Sequence, residues 1–173
     1  MLSVIKSKLL TIATACILFT LATLAKAGQD PYCFHKAGIY YNISPQLLKA
    51  ISLVESNLNP YAINYNKNGT YDYCHMQINS PWAKKIGIKN WYHLSNPCYC
   101  TFVGAWILKL CIIRYGYNWN AVSCYHTGKA PYELPPKKRK RANDYIAKVK
   151  EKLKQLTTTD GIVSCQDKLC TFK

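Results

Sequence analysis

Apolar positions recur along this chain with a helical period, and the places where that period breaks mark its elements. Leu47, Leu48, Ile51, Val54 and Leu58 fall on one face at about 100° per residue, with Ser44-Pro45 as the start and Asn59-Pro60 as the stop. Tyr32 to Tyr41 reads as a shorter helix with Ala37, Tyr40 and Tyr41 turned inward. From Tyr61 to Tyr73 the pattern becomes polar around Asn68-Gly69, flanked by aromatic and β-favouring residues, which predicts a small hairpin. Ser80-Pro81 can open another short helix. Thr101 to Tyr115 is apolar almost all round and stops at Gly116, the pattern of a helix buried in mid-domain and too short to cross a bilayer. Asn120 to Tyr125 predicts a short helical piece ending near Gly128. Asn143 to Leu156 regains helical spacing through Tyr145, Ile146, Val149, Leu153 and Leu156. The pattern as a whole predicts a mainly α (α+β) chain, one helical domain with a small β-hairpin lobe and no internal repeat.

One position breaks the apolar face of the second helix. Glu55 projects between Leu48 and Ile51 rather than toward Lys49 and Ser56. Burial disfavours a charged carboxylate, so a carboxyl group there should keep its proton near neutral pH, as a general acid must. The alternative is a glutamate at the edge of the core face that reaches out to water or to a lysine.

Composition adds bounds. At 173 residues with 49% hydrophobic content the chain supports one domain with a real core. Its first 27 residues run from Lys6 and Lys8 through an apolar stretch, Leu9 to Leu24, to Ala25-Lys26-Ala27, which reads as a signal peptide cut after Ala27. The apolar run is shorter than the roughly 20 residues of a spanning helix, an uncleaved anchor being the alternative. Losing Lys6, Lys8 and Lys26 takes the formal charge from +15 to +12. That excess favours an anionic partner, and an exported chain meets cell-wall polymers and anionic lipid before nucleic acid. The basic run Pro135 to Arg141 reads as a docking patch or a solvated linker. The expected organisation is therefore a leader over 1–27, a domain over 28–156 and a cysteine-containing tail over 157–173. After cleavage Cys33, Cys74, Cys98, Cys100, Cys111, Cys124, Cys165 and Cys170 remain, an even set that reads as disulfides in an exported chain. A zinc site on Cys98 and Cys100 is disfavoured by their spacing and by the lack of a matching pair with histidines.

Four ordered segments carry a resemblance. They are Leu48-Lys49-Ala50-Ile51 with Glu55-Ser56-Asn57-Leu58-Asn59-Pro60; Gly69-Thr70-Tyr71-Asp72 with Met76-Gln77-Ile78-Asn79; Asn96-Pro97-Cys98 with Val103-Gly104-Ala105-Trp106-Ile107-Leu108; and Tyr115-Gly116 with Trp119-Asn120-Ala121-Val122, Tyr125 and Gly128. Together, over about Cys33 to Val149, they resemble the soluble lytic transglycosylase family, most closely the small members that accompany type III and type IV secretion, conjugation and pilus systems. The resemblance implies a lysozyme-like fold that cleaves the β-1,4 bond between N-acetylmuramic acid and N-acetylglucosamine in peptidoglycan. It makes Glu55 the catalytic acid/base, with Ser56 beside it holding substrate. Met76, Gln77 and Asn79 would line the sugar groove, Asp72 and His75 would border it, Tyr125 would reach toward Glu55, and His126 and Thr127 would form a substrate-contact turn. The implied protein is a periplasmic or secreted monomer without cofactor or metal. Its partners would be glycan strands, with an envelope-spanning secretion or conjugation apparatus, and no nucleic acid.

Two places depart from the family pattern. Its usual Gly-Leu before Met-Gln appears as Cys74-His75, and its usual Gly-Ala-Tyr-Asn-Ala-Gly as Ser123-Cys124-Tyr125-His126-Thr127-Gly128. The resemblance further implies a Cys33–Cys98 disulfide, and Cys74 with Cys124 as a second pair. Cys100 and Cys111 cannot pair if one helix carries both, because eleven residues rise about 16 Å. Cys165 and Cys170 would close a tail loop or reach those two. Asp72 also resembles the second carboxylate of animal lysozymes, so a hydrolase using Glu55 and Asp72 stands beside the transglycosylase with its 1,6-anhydromuramic acid product. A peptidoglycan-binding scaffold without turnover is the third reading.

Overall fold

The computed structural model describes residues 30–159. The leader and the tail cysteines Cys165 and Cys170 lie outside the described residues. Within them run α1 (Phe34–Tyr41), α2 (Pro45–Ser56), β1 (Ile63–Tyr65), β2 (Tyr71–Tyr73), β3 (Ile78–Asn79), α3 (Ala83–Ile86), α4 (Ile88–Trp91), α5 (Pro97–Tyr115), α6 (Trp119–Thr127) and α7 (Pro136–Thr159). The mainly helical chain with a small β lobe is the expected class, with β3 added to the hairpin as a third strand.

Local chemistry sets the helix bounds. Ser44 Oγ accepts from the Leu47 amide at 3.3 Å and Pro45 opens α2. The helix stops at Ser56, before Asn59-Pro60, because Asn57 (φ 53°) and Leu58 (φ 66°) turn left-handed. α5 starts at Pro97, four residues before the expected Thr101, since Asn96 Oδ1 caps the Tyr99 amide at 3.0 Å. At 19 residues it is long and apolar enough to cross a membrane by length and composition, so its length no longer excludes a span. In this fold half of its apolar window is buried inside the domain, and α6 packs along it. Lys137 to Arg141, expected as a docking patch or a solvated linker, form the exposed first turns of α7, which corrects the linker reading.

Leu47, Leu48, Ala50 and Ile51 of α2 are fully buried, and α2 packs mainly on α7. Each large apolar side chain sealed in this way contributes about 1.5–3 kcal/mol. Strand alternation places Tyr71 and Tyr73 against the buried Trp91, at ring-centroid distances of 5.9 and 6.4 Å, and so turns Asp72 to the opposite face. The antiparallel register sets Asp72 between Asn64 on β1 and Asn79 on β3.

Three disulfides converge on α5. Cys33–Cys98 forms as expected, with Cα atoms 4.9 Å apart. Cys74 pairs with Cys100 and Cys111 with Cys124, at Cα separations of 6.4 and 5.7 Å, which corrects the expected Cys74–Cys124 bridge. The reason is topological: the β2–β3 turn docks on the first turn of α5, while α6 folds back along its last turns. Cys100 and Cys111 do sit on one helix and do not pair with each other, and both are engaged without the tail. Each such cross-link stabilises by about 2–4 kcal/mol.

Candidate active site

Glu55, in the last turn of α2, is half-buried at the wall of a cleft of about 1020 Å³. Ser56, Asn64, Thr70, Asp72, Gln77 and Asn79 border the same cleft on the sheet side, and Tyr125, His126 and Thr127 border it from α6. Trp82 and Lys85 extend it, with Lys85 Nζ 4.9 Å from the centre of the Trp82 ring.

Glu55 is held by a residue ninety positions away. The Tyr145 hydroxyl of α7 donates to Glu55 Oε1 at 2.6 Å, and the Tyr145 ring stacks on His126 with centroids 4.1 Å apart. Burial pushes the Glu55 pKa up to about 7; the Tyr145 hydrogen bond opposes the rise, and the charge of Asp72 adds to it. Packing against its neighbours desolvates the His126 ring and lowers its pKa, opposed by the Asp72 charge and aided by that of Lys148.

Asp72 is held differently. Asn66 Nδ2 donates to Oδ2 at 2.9 Å and Asn79 Nδ2 to Oδ1 at 2.6 Å. The same two amides also reach Thr70 Oγ1, at 3.2 and 3.1 Å. Both carboxylate oxygens therefore have a donor, and the charge faces the cleft from the sheet.

The Cys74–Gln77 turn links these two walls. Cys74 (φ 63°) and Gln77 (φ 51°) both stand in the left-handed region, which costs a side-chain-bearing residue about 1–2 kcal/mol. Position 74, where the family pattern has glycine, thus has the backbone that favours glycine, and the bond to Cys100 holds cysteine there. Ser56 Oγ donates to the His75 carbonyl at 3.0 Å, and the Gln77 side-chain amide donates to Cys74 O at 2.9 Å and Ala62 O at 3.2 Å. Ser56 and Gln77 line the cleft, but these bonds anchor its wall.

Two expected groove residues are not in the groove. His75 is fully buried beneath the turn. Its Nε2 donates to the Pro97 carbonyl at 2.9 Å, which leaves Nδ1 to accept from Ser52 Oγ at 2.7 Å, and burial lowers its pKa to about 4. It is a neutral link between α2, the turn and α5. Met76 is fully buried against Gly104, where an added Cβ would lie 2.7 Å from Met76 Cε and 3.1 Å from its Cβ, so glycine lets α5 approach without displacing the Met76 side chain. Only the Met76 carbonyl serves the site, accepting the Tyr125 hydroxyl at 2.6 Å. Tyr125 comes close enough to Glu55 for that charge to raise its pKa further after burial, but the phenol bonded to Glu55 is Tyr145. The Thr127 hydroxyl is bonded to Ser123 O at 2.8 Å.

Tyr145 and Asn66 were not singled out from the sequence. Tyr145 carried a faint signal as an aromatic on the apolar face of the last helix; Asn66 carried none beyond its place before the turn. The assembled site pairs a carboxyl group that keeps its proton near neutrality with a charge fixed on the opposing wall. Such a pair, above an open polar cleft, can protonate a leaving oxygen and steady the cation left behind.

Comparison with known proteins agrees with this geometry. The chain is 40% identical over 102 residues to protein IpgF of Shigella sonnei, covering 57% of this chain and 67% of that protein. It is 38% identical over 127 residues to invasion protein IagB of Salmonella typhimurium (72% of this chain, 76% of that one). It is also 38% identical over 135 residues to a peptidoglycan-binding-like protein of Escherichia coli O157:H7, covering 72% and 78%. The family model described as the transglycosylase SLT domain matches residues 32–148, a stretch that holds both cleft walls, Glu55 and Tyr145, and the chain accordingly belongs to that family.

Proposed function

We propose that the chain is a lytic transglycosylase that cleaves the β-1,4 bond between N-acetylmuramic acid and N-acetylglucosamine. Glu55 is its acid and then its base. The observation that carries this reading is the Glu55 carboxyl group, raised to about 7 and aimed by Tyr145 at the wall of a polar cleft. In the first step Glu55 gives its proton to the glycosidic oxygen, the bond from that oxygen to C1 of the muramic sugar breaks, and positive charge develops on the ring. The Glu55 carboxylate then takes the proton of the same sugar's 6-hydroxyl, whose oxygen bonds to C1. A 1,6-anhydro end results, Glu55 is protonated again, and no water is consumed.

Asp72 supports this order of events. Its two oxygens already accept from Asn66 and Asn79, which suits a fixed negative charge that steadies the ring cation better than a nucleophile that must move onto C1. Ser56, Gln77, Asn79, Tyr125, His126 and Thr127 are the proposed substrate-side residues, the amides and hydroxyls reading sugar hydroxyls and N-acetyl groups. His75 and Met76 act through the backbone they hold. The setting we propose is the cell envelope: a chain matured after Ala27, with its domain over 28–156, opens local gaps in the wall for a secretion or conjugation apparatus. The relatives' names, an invasion protein and a peptidoglycan-binding-like protein, support that setting.

Mass analysis of muropeptides released from purified peptidoglycan tests the reaction. Anhydro products from the wild type and none from Glu55→Gln are expected. Reducing-end sugars carrying solvent ¹⁸O, abolished by Asp72→Asn, would make the enzyme a hydrolase. Binding without release by either protein would make it a scaffold.

A further inference from the structure

Glu55 and His126 line not one cavity but two. Beside them lies a second, open space of about 340 Å³, lined also by Val54 of α2 and by Arg141, Asp144, Tyr145 and Lys148 of α7. Arg141 and Lys148 are seven positions apart, two helical turns, and so share a face with Tyr145 between them. Asp144, the acidic residue of α7 on this cavity, is engaged by Lys140 at 3.2 Å. No carboxylate of the described residues pairs with Arg141 or Lys148. Lys148 lines the cavity, and its charge is felt at His126.

This divides the basic run of the sequence into distinct uses. Arg139 donates to the carbonyls of Pro131 and Leu134, both at 3.1 Å, and fixes the turn before α7. Lys140 pairs with Asp144 on the exposed side of α7. Arg141 lines the cavity. Arg141 and Lys148, neither in an ion pair with a described carboxylate, thus border a concave space next to the proposed acid.

We propose that this cavity receives a free carboxylate of the short acidic peptide that branches from the lactyl ether of muramic acid, held by Arg141 and Lys148. The proposal rests on the reading of the large cleft as a peptidoglycan site. Muramic acid carries its peptide on the sugar ring itself. A chain that places the muramic C1 beside Glu55 therefore brings a peptide branch to the waist shared by the two cavities. A guanidinium suits a carboxylate by its forked donors, and an ammonium adds a second charge without demanding one geometry. The cavity would thus make the enzyme favour glycan that still bears its peptides over glycan stripped of them.

Binding separates this from the proposed function. The probe protein is the chain carrying Glu55→Gln, so that ligands are not consumed. The probes are a tetrasaccharide of alternating N-acetylglucosamine and N-acetylmuramic acid with its peptides, the same after amidase removal of the peptides, and the same with peptide carboxylates converted to amides. The peptide-bearing form should bind about tenfold more tightly than the other two, the worth of one charge-assisted contact. Salt at about 0.5 M should narrow the gap. Adding Arg141→Gln and Lys148→Gln, both exposed positions whose loss spares the core, should bring the three affinities together. Equal affinities before those substitutions, or a preference that survives them, would overturn the carboxylate site while leaving the glycan reading intact. Failure of all three probes to bind would overturn both.

Discussion

Glu55 leaves a helix whose apolar face is sealed in the core, whereas Asp72 leaves a three-stranded sheet whose first strand is exposed throughout, from Ile63 to Tyr65. The two walls carry the same functional group and treat it oppositely. On the helical wall desolvation dominates, one phenol donates to one oxygen, and the carboxyl group keeps its proton up to about pH 7. On the sheet wall two side-chain amides hold two oxygens, and the resulting charge is felt at Glu55, Tyr125 and His126. Division of labour between two carboxylates needs no difference in residue chemistry, only a difference in who their neighbours are.

The comparison breaks most sharply at Glu55. Glu55→Gln keeps the shape and loses the proton, and anhydromuropeptide release should fall by about 10³-fold, the scale of general acid–base catalysis. Release at more than a tenth of the wild-type rate would place the acid elsewhere. Asp72→Asn should lower turnover by about tenfold, equivalent to roughly 1.4 kcal/mol of lost charge stabilisation, with anhydro ends still the product. It also removes the charge that raises the Glu55 pKa, so the alkaline limb of the pH–rate profile should move to lower pH. Tyr145→Phe should act in the reverse sense. It removes the bond that lowers the Glu55 pKa, so the alkaline limb should move to higher pH, with a loss in rate of about threefold and of about 1 kcal/mol in stability. Two variants that shift one limb in opposite directions identify its owner. If both moved it the same way, the limb would belong to another group.

These variants also show where the sequence was readable. Glu55 was legible because a helical wheel is local: its neighbours Leu48 and Ile51 lie within one or two turns. Tyr145 was not, since nothing in a single chain indicates which of fourteen tyrosines meets a glutamate ninety residues away. Met76 and His75 went wrong for a different reason. Their motif marks the groove, but Cys74 and Gln77 turn left-handed on either side of them, and so both side chains go under the wall while Gln77 and Asn79 stay on it. The start of α5 was readable after all: Asn96-Pro97 is the same cap-and-proline signal as Ser44-Pro45, and the run of apolar residues further on obscured it. The Cys74 bridge is the extreme case, because nothing local to Cys74 chooses between Cys100 and Cys124, and only the docking of the β2–β3 turn on α5 does.

The last expected effect is on stability rather than turnover, and the intact protein conceals it. Stability rises with pH wherever the unfolded chain binds more protons than the folded one, and falls wherever it binds fewer. Glu55 has its folded pKa raised from 4.5 to about 7, so between those values the folded protein keeps a proton that the unfolded chain has released, and stability falls as pH rises. His75 has its folded pKa lowered from 6.5 to about 4, so between those values the unfolded chain takes up a proton that the folded one refuses, and stability rises with pH. Each contribution amounts to about 3 kcal/mol across its window, and from pH 4.5 to 6.5 the two run against each other. Glu55→Gln removes one of them. Urea unfolding of the variant and the wild type at matched pH should give nearly equal stabilities near pH 4.5, with the variant gaining steadily until it leads by up to about 3 kcal/mol above pH 7. Background from every other ionisable group is common to both proteins and cancels in the difference. A difference curve that stayed level from pH 4.5 to 7 would mean that Glu55 titrates in the fold as it does in the open chain, and the contrast between the two walls would go with it.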